Sequence, residues 1–235
     1  MSFRSRPALK ACWIIAEYVS ICGGCAEVLL VIRKNICMLK SACAYRSPNL
    51  PNHDALMKYC SDCGTPVELR VPTGDTLPRY VCPACSAIHY QNPKMVVGCI
   101  PEWEDKILLC RRAIEPRHGL WTLPAGFMEN AETLVEAAAR ETLEEANARV
   151  EMGPLYAIYN LPHINQVHIL FRAQLLDLDF KPGSESLEVR LFGEAEIPWD
   201  TLAFRVIQEP LKRYFDERRQ DRLGFHMGTI AAERR

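Results

Sequence analysis

The sequence has almost no excess of charge of either sign, and it lacks a long uncharged hydrophobic run. Its 28 Lys and Arg residues balance 29 Asp and Glu residues, so the formal net charge is −1. Such a balance does not indicate a polyanionic partner. Residues 11–32 are apolar but include Glu17 and Glu27, whereas a membrane-spanning helix needs about 20 residues with few or no charges. We therefore expect neither a nucleic-acid partner nor a membrane segment.

The first 56 residues differ in composition from the remainder of the chain. They contain seven Lys and Arg residues against three Asp and Glu residues, while the remainder contains 21 and 26. Residues 47–54, SPNLPNHD, are typical of a linker, and Met57 directly precedes the first recognisable motif. We interpret residues 1–56 as a poorly ordered extension or an over-long start assignment. The expected location is the cytoplasm, or an organellar matrix if residues 1–56 are a transit peptide.

The chain has 11 cysteines, but their spacing does not indicate a disulfide framework. Two C-x2-C pairs are separated by eighteen residues, which is the spacing of a four-thiolate zinc site. Each pair places two thiolates on one tight turn, and a closed set of four leaves no coordination position for water. We predict a structural zinc ion and a reducing compartment. The predicted zinc ligands are Cys60, Cys63, Cys82 and Cys85.

A second motif lies in residues 119–147, which read GLWTLPAGFMENAETLVEAAARETLEEAN. The content of Ala, Leu and Glu predicts a helix over Ala131–Ala146, with Asn130 as its N-cap. Glu141, Glu144 and Glu145 would then lie on one helical face. Three carboxylates this close repel one another unless a cation neutralises them, and hard oxygen ligands select Mg²⁺ or Mn²⁺.

The alternative interpretation of this helix is a solvated acidic face. Glu136–Arg140 and Arg140–Glu144 ion pairs would then account for its charges. Five residues separate Gly126 from Glu132, and seven more separate Glu132 from Arg140-Glu141; this spacing favours a functional site instead.

The arrangement resembles the signature of the Nudix hydrolases, G-x5-E-x7-R-E-U-x-E-E-x-G-U. Thr142 replaces an aliphatic residue of that signature, and Asn147 replaces its second glycine. Asn is the residue that best replaces Gly at a left-handed helix end, so the turn should survive. The resemblance implies an α/β Nudix fold, in which helices sandwich a mixed sheet, preceded here by a small four-Cys zinc ribbon.

The resemblance also implies functional roles. Glu132 and Arg140 would brace the loop and helix around the site. A further acid would come from a loop after the central sheet, where Glu185 is the best match and Glu188 the second. Either Glu141 or Glu185 would act as the general base. The catalytic residues implied are Glu141, Glu144, Glu145 and Glu185, and the same four side chains with the carbonyl of Gly126 would hold Mg²⁺ or Mn²⁺.

Sequence similarity outside the motif indicates one group within the Nudix hydrolases. The runs at residues 90–100, 118–129, 182–192 and 197–204, with the tail FHMGTI at 225–230, resemble zinc-ribbon Nudix hydrolases related to the plant plastid FAD and ADP-ribose pyrophosphatase. That resemblance implies hydrolysis of FAD to FMN and AMP, and of ADP-ribose to AMP and ribose 5-phosphate. The partner would be a small-molecule nucleotide, and a homodimer is expected.

Two other functions stay open at this point. The NADH pyrophosphatases also carry a four-Cys ribbon, but their SQPWPFP-type segment is missing after the motif here. A non-catalytic nucleotide sensor or nucleic-acid-binding regulator is the other. Intact acidic positions in the motif and the scarcity of Lys and Arg in the ribbon argue against it.

The remaining patterns predict the domain organisation. The expected order is an N-terminal extension (1–56), a zinc ribbon (57–92), a hydrolase domain (93–220) and a tail (221–235). Apolar residues recur at helical spacing in Arg205–Arg218. The predicted strands are Lys94–Pro101, Lys106–Arg112, Val150–Asn160, Gln166–Leu176 and Glu188–Gly193.

Overall fold

A computed structural model describes residues 57–232 of the chain. The interpretations of residues 1–56 therefore lie outside the described residues. Neither helix of the described part is both long and apolar enough to cross a membrane.

The described part begins with a three-stranded antiparallel sheet. Its strands are β1 (Glu68–Arg70), β2 (Arg79–Val81) and β3 (Ile88–His89), paired in that order. The two C-x2-C pairs lie just before β1 and just after β2. Short strands suit this segment, because its few apolar side chains cannot build a core of their own.

A larger mixed sheet follows. Its main path runs β10-β5-β4-β9-β8-β11, while β6 pairs with β5 and β7 pairs with β4. The β4–β9 and β8–β11 pairs are parallel, and the others are antiparallel. The strands are β4 (Lys94–Trp103), β5 (Lys106–Arg112), β6 (Trp121–Thr122), β7 (Ala125–Phe127), β8 (Val150–Leu161), β9 (Gln166–Leu175), β10 (Ser186–Phe192) and β11 (His226–Thr229).

One helix covers each face of this sheet. Helix α2 (Arg205–Arg219) buries Leu211 and Tyr214 in a core cluster that includes Leu170 of β9. Helix α1 (Leu134–Ala146) buries Ala137 and Ala138 in a second cluster with Ile169 of the same strand. Successive residues of a strand point to opposite faces, so the two helices lie on opposite sides. The predicted α/β fold, with helices on both faces of a mixed sheet, is confirmed.

The predicted start of α1 was wrong. The helix begins at Leu134, not at residue 131, and its N-cap is Thr133, not Asn130. The Thr133 hydroxyl accepts a hydrogen bond from the Glu136 amide at 3.2 Å, and the Glu136 carboxylate accepts one from the Thr133 amide at 2.7 Å. This reciprocal capping box satisfies two amide donors, whereas Asn130 would satisfy only one.

The other predicted elements differ from the structure only at their ends. Strand β4 extends to Trp103 because it continues into a hairpin with β5 through the Glu102–Ile107 pair. Strand β10 begins at Ser186, two residues earlier than predicted. At the other end of the chain, β11 adds a parallel edge strand beside β8.

The end of α1 is bonded to the loop that precedes β10. The Gly183 amide donates to the Glu145 carbonyl and the Lys181 amide to the Ala146 carbonyl, each at 2.9 Å. These bonds satisfy carbonyl groups that a helix end would otherwise leave unpaired. The fit is close at Gly183, where a Cβ atom would overlap with the Glu144 carbonyl oxygen.

We predict that Gly183→Ala separates this loop from α1. Backbone atoms of the helix cannot give way as a flexible side chain can, so the free energy of unfolding should fall by about 2 kcal/mol or more. Urea denaturation measures this. Gly193→Ala is the matched control, since its Cβ would meet only Glu196 Oε2, at 3.5 Å. Equal stability of the two variants would contradict the prediction.

Candidate active site

Arg140 joins the start of the acidic motif to its helix. Its guanidinium donates to both carboxylate oxygens of Glu132, at 2.9 and 2.8 Å, and to the Phe127 carbonyl at 3.2 Å. The same group donates to Glu141 at 2.8 Å and to Glu144 at 3.1 Å. Hydrogen bonds from Arg140 lower the pKa of Glu132 to about 2, so this carboxylate stays ionised.

These contacts bear on the alternative interpretation of a solvated acidic face. The Arg140–Glu144 pair is present, but Glu136 uses its carboxylate to cap the helix and does not pair with Arg140. Two further carboxylates of the helix are largely buried: Glu141 and Glu145 expose only 9% and 8% of their surface. The structure therefore favours a built site over a solvated face.

Glu141 and Glu145 meet the β7 strand of the sheet. The Glu141 carboxylate lies directly against the Cα atom of Gly126, where any Cβ atom would overlap with it. Glu145 accepts a backbone hydrogen bond from Ala125, the preceding residue of β7. The glycine of the motif thus leaves room for the Glu141 carboxylate, which a Cβ atom at residue 126 would displace.

The burial of these two carboxylates has an electrostatic consequence. Burial, together with the charge of Glu141, raises the pKa of Glu145 to about 8. Burial also raises the pKa of Glu141, although Arg140 opposes that shift. Glu145 Oε2 is buried and has no hydrogen-bond partner within residues 57–232. An uncompensated buried oxygen and two neighbouring acids fit a cation as their missing partner.

The other candidate acids occupy different positions. Glu144 is exposed at the edge of the site and bound to Arg140. Glu185 lies close enough for its charge to raise the pKa of both Glu141 and Glu145. Glu188, the second choice from the sequence, instead pairs with Arg111 at 3.4 Å. The structure therefore places Glu141 against Gly126 and Glu145 against Ala125, with Glu144 at the edge and Glu185 near enough to act on both by its charge.

Two features of the site were not predicted from the sequence. The charge of Arg112 lowers the pKa of Glu145 and partly offsets its burial. Thr142, which replaces an aliphatic residue of the signature, is fully buried and donates to the Ala138 carbonyl at 2.7 Å while its oxygen lies 3.1 Å from Cys99 Sγ. Contacts of this kind depend on strand order, and no local sequence pattern signals them.

Asn147 forms the left-handed helix end that was predicted for this position of the motif. It ends α1 in the left-handed conformation, with φ 48° and ψ 25°. Its side-chain amide also donates to the carbonyls of Lys181 and Pro182, at 3.1 and 3.3 Å. A glycine could supply the turn but not these bonds, so Asn147 additionally ties the Glu185 loop to the helix.

The four cysteines of the N-terminal segment converge on a separate site. Their sulfur atoms all lie within 4.8 Å of one another, with Cys60–Cys85 at 3.6 Å and Cys63–Cys82 at 3.4 Å. Such separations suit four thiolates around one tetrahedral ion. His89 Nε2, at 3.3 Å from the Cys60 sulfur, is an additional polar neighbour.

The two halves of the cysteine site repeat one backbone geometry. In the first, the Gly64 amide donates to the Cys60 carbonyl at 2.9 Å; in the second, the Ser86 amide donates to the Cys82 carbonyl at 3.0 Å. Gly64 and Ser86 both adopt positive φ, 72° and 62°. Paired turns of this kind aim four sulfurs at one point, so the arrangement fits a structural zinc ion.

An α/β sandwich with a glycine strand, an acidic helix and a four-Cys ribbon defines the zinc-ribbon class of Nudix proteins. Comparison with known families agrees, since the Nudix N-terminal zinc-ribbon model matches residues 58–91 and the NUDIX domain model matches residues 92–214. The chain therefore belongs to the Nudix hydrolase family.

Individual relatives support the same assignment. A crystal structure of a NUDIX hydrolase from Nitrosomonas europaea is 70% identical, with a TM-score of 0.74, and the match covers 75% of this chain and 100% of that one. An ADP-ribose pyrophosphatase of Methanocaldococcus jannaschii is 31% identical over 46% of this chain and 67% of its own length. The NAD-capped RNA hydrolase NudC of Photobacterium profundum is 28% identical over 72% of this chain, which spans only 63% of that enzyme.

We predict that Cys60→Ser lowers the zinc content below about one ion per chain and destabilises the ribbon, because this small segment cannot fold without its metal. Plasma emission spectrometry of the purified protein measures the zinc. Cys99→Ala, which alters a buried thiol outside the cluster, is the control and should keep its zinc. Purified wild-type protein without zinc, or with its four ribbon cysteines oxidised, would contradict the assignment.

Proposed function

We propose that the chain is a Mg²⁺- or Mn²⁺-dependent pyrophosphatase that hydrolyses the phosphoanhydride of an ADP-linked substrate, ADP-ribose or FAD. The observation that carries this proposal is the buried Glu141–Glu145 pair against Gly126, with one unpaired carboxylate oxygen. Burying two acids side by side is costly unless a cation is present to compensate them.

The residues around the site suit this chemistry. Glu141, Glu144, Glu145, Glu185 and the carbonyl of Gly126 would hold divalent cations, which neutralise the phosphoryl oxygens and lower the pKa of a water molecule. Arg140 keeps the carboxylates in place, and its own bonds to Glu132 and Phe127 hold the loop that carries the glycine.

Hydrolysis then needs one proton transfer. The water oxygen bonds to one phosphorus, the bond from that phosphorus to the bridging oxygen breaks, and a carboxylate takes the water proton. Glu141 and Glu185 are the two candidates for that base. Glu141 is fixed by a hydrogen bond from Arg140. Glu185 lies in a loop and is held by its backbone, because its carbonyl accepts a hydrogen bond from the Ala113 amide at 2.8 Å.

The choice of substrate rests on the relatives and on the sequence runs described above. The similarity to the Methanocaldococcus jannaschii enzyme supports ADP-ribose. The resemblance to the plastid pyrophosphatase group supports FAD. Both substrates would release AMP, so the AMP half is the common element. The homodimer expected from the sequence stays a prediction.

NAD or NADH is the second candidate substrate. Its support is the similarity to NudC, which extends over 175 residues. The segment EMGPLYAIYNLPHINQVHIL at 151–170 forms β8, a short turn and the start of β9 here, without a SQPWPFP-type run. A non-catalytic regulator is disfavoured, because the acidic positions of the motif are intact and clustered.

Glu145→Gln should lower turnover by roughly 10²-fold or more, since it removes a charged ligand without creating a cavity. AMP release from ADP-ribose, FAD and NADH in saturating Mg²⁺ measures the effect and ranks the substrates. Cys60→Ser is the comparison variant, whose activity per folded molecule should fall far less. Near-wild-type turnover by Glu145→Gln, with thermal unfolding unchanged, would defeat the assignment.

A further inference from the structure

His168 is a buried polar residue on the sheet face opposite α1. It lies on β9 next to Ile169, which packs toward α1, so its own side chain faces the other way. Only 9% of its surface is exposed. Its Nε2 atom lies 3.0 Å from Gln166 Oε1, whereas its Nδ1 atom has no hydrogen-bond partner within the described part of the chain.

The protonation state of this imidazole follows from its surroundings. Burial lowers the pKa of His168 to about 4, so the ring is neutral near pH 7. A neutral imidazole carries one proton, and the Gln166 carbonyl oxygen can only accept. The proton therefore lies on Nε2, and Nδ1 presents a buried lone pair. Buried acceptors are rarely left unpaired in native proteins, so Nδ1 can accept a hydrogen bond from a donor that residues 57–232 do not supply.

The position of His168 connects it to the candidate active site. In the sheet register, His168 of β9 lies beside Val96 of β4, which in turn lies beside Phe127 of β7. Phe127 directly follows Gly126, and its ring is half exposed with the Lys94 ammonium 5.1 Å from the centroid. Two strand spacings separate His168 from Phe127, about 10 Å, which is wide enough for a planar heterocycle.

We propose that His168 Nδ1 accepts a hydrogen bond from an amino group of the substrate's nucleobase, which lies over Val96 and against the Phe127 ring. This inference rests on the proposed function and names a residue that recognises the adenine of its substrate. Adenine supplies an exocyclic amine, an N–H donor. Phosphate is a poor ligand for this atom, because its oxygens would face a lone pair.

The test compares ADP-ribose with its hypoxanthine analogue, in which a carbonyl oxygen replaces the adenine amine. The wild-type protein should favour ADP-ribose in kcat/KM by roughly 10- to 100-fold, the effect of leaving a buried acceptor facing an oxygen. His168→Phe keeps a ring but removes the acceptor. We expect this ratio to fall to near one, mainly through a higher KM for ADP-ribose with kcat little changed.

Two further variants make the result specific. His163→Phe changes an exposed histidine in the turn that precedes β9 and should leave the ratio at its wild-type value. Gln166→Leu removes the acceptor that holds the proton on Nε2, so the ring can protonate Nδ1 instead. Its ratio should fall part of the way, and this variant replaces His168→Phe as the test if the latter does not fold.

The outcomes separate this inference from the function on which it rests. Wild-type protein that hydrolyses ADP-ribose, with a ratio unchanged by His168→Phe and by Gln166→Leu, would overturn the role of His168 alone. Wild-type protein that hydrolyses neither nucleotide would overturn the proposed function and the inference together. A lower ratio in His163→Phe, equal to that of His168→Phe, would also contradict a specific hydrogen bond.

Discussion

The candidate active site depends on two buried carboxylates placed side by side. Glu141 and Glu145 lie beneath the β7 strand, and burial together with mutual repulsion makes their ionised forms costly. Arg140 compensates Glu141 directly, but one oxygen of Glu145 keeps no partner within residues 57–232. A site that assembles negative charge and leaves it incompletely neutralised is matched to a divalent cation.

The fold holds these carboxylates in place by fixing both ends of helix α1. At its start, the capping box of Thr133 and Glu136 sets the helix, so Glu132 lies outside it and can reach Arg140. At its end, Asn147 and the helix carbonyls bind the loop that carries Glu185. Acids from distant parts of the sequence are therefore positioned by a single rigid element.

The features that the sequence predicts well are those governed by local spacing. The four cysteines form two pairs with the same turn geometry, and the glutamates of α1 follow helical periodicity, so the cysteine cluster and the shared helical face of the glutamates could be predicted from residue intervals. The left-handed end at Asn147 was predicted for the same reason. The start of α1 was not, because Asn130 and Thr133 compete as N-caps three residues apart and only the structure shows the reciprocal bond to Glu136.

Contacts between distant strands could not be predicted. The unpaired nitrogen of His168, its alignment with Phe127, and the overlap that forces glycine at residue 183 all follow from register and strand order. A sequence without known strand pairings contains no signal for such neighbours. For the same reason the sequence ranks Glu185 above Glu188 as the additional acid but cannot decide between them. The structure distinguishes the two, because Glu188 forms an ion pair with Arg111.

Cation binding by the Glu141–Glu145 pair can be tested by counting the protons released when Mg²⁺ binds. Isothermal titration calorimetry with Mg²⁺ at pH 7, in buffers of different ionisation enthalpy, gives this number. With its pKa near 8, Glu145 holds a proton in the metal-free protein and must lose it to become a ligand. We expect release of about one proton per wild-type chain and none in Glu145→Gln. Mg²⁺ binding without proton release, or equal release in both proteins, would contradict it.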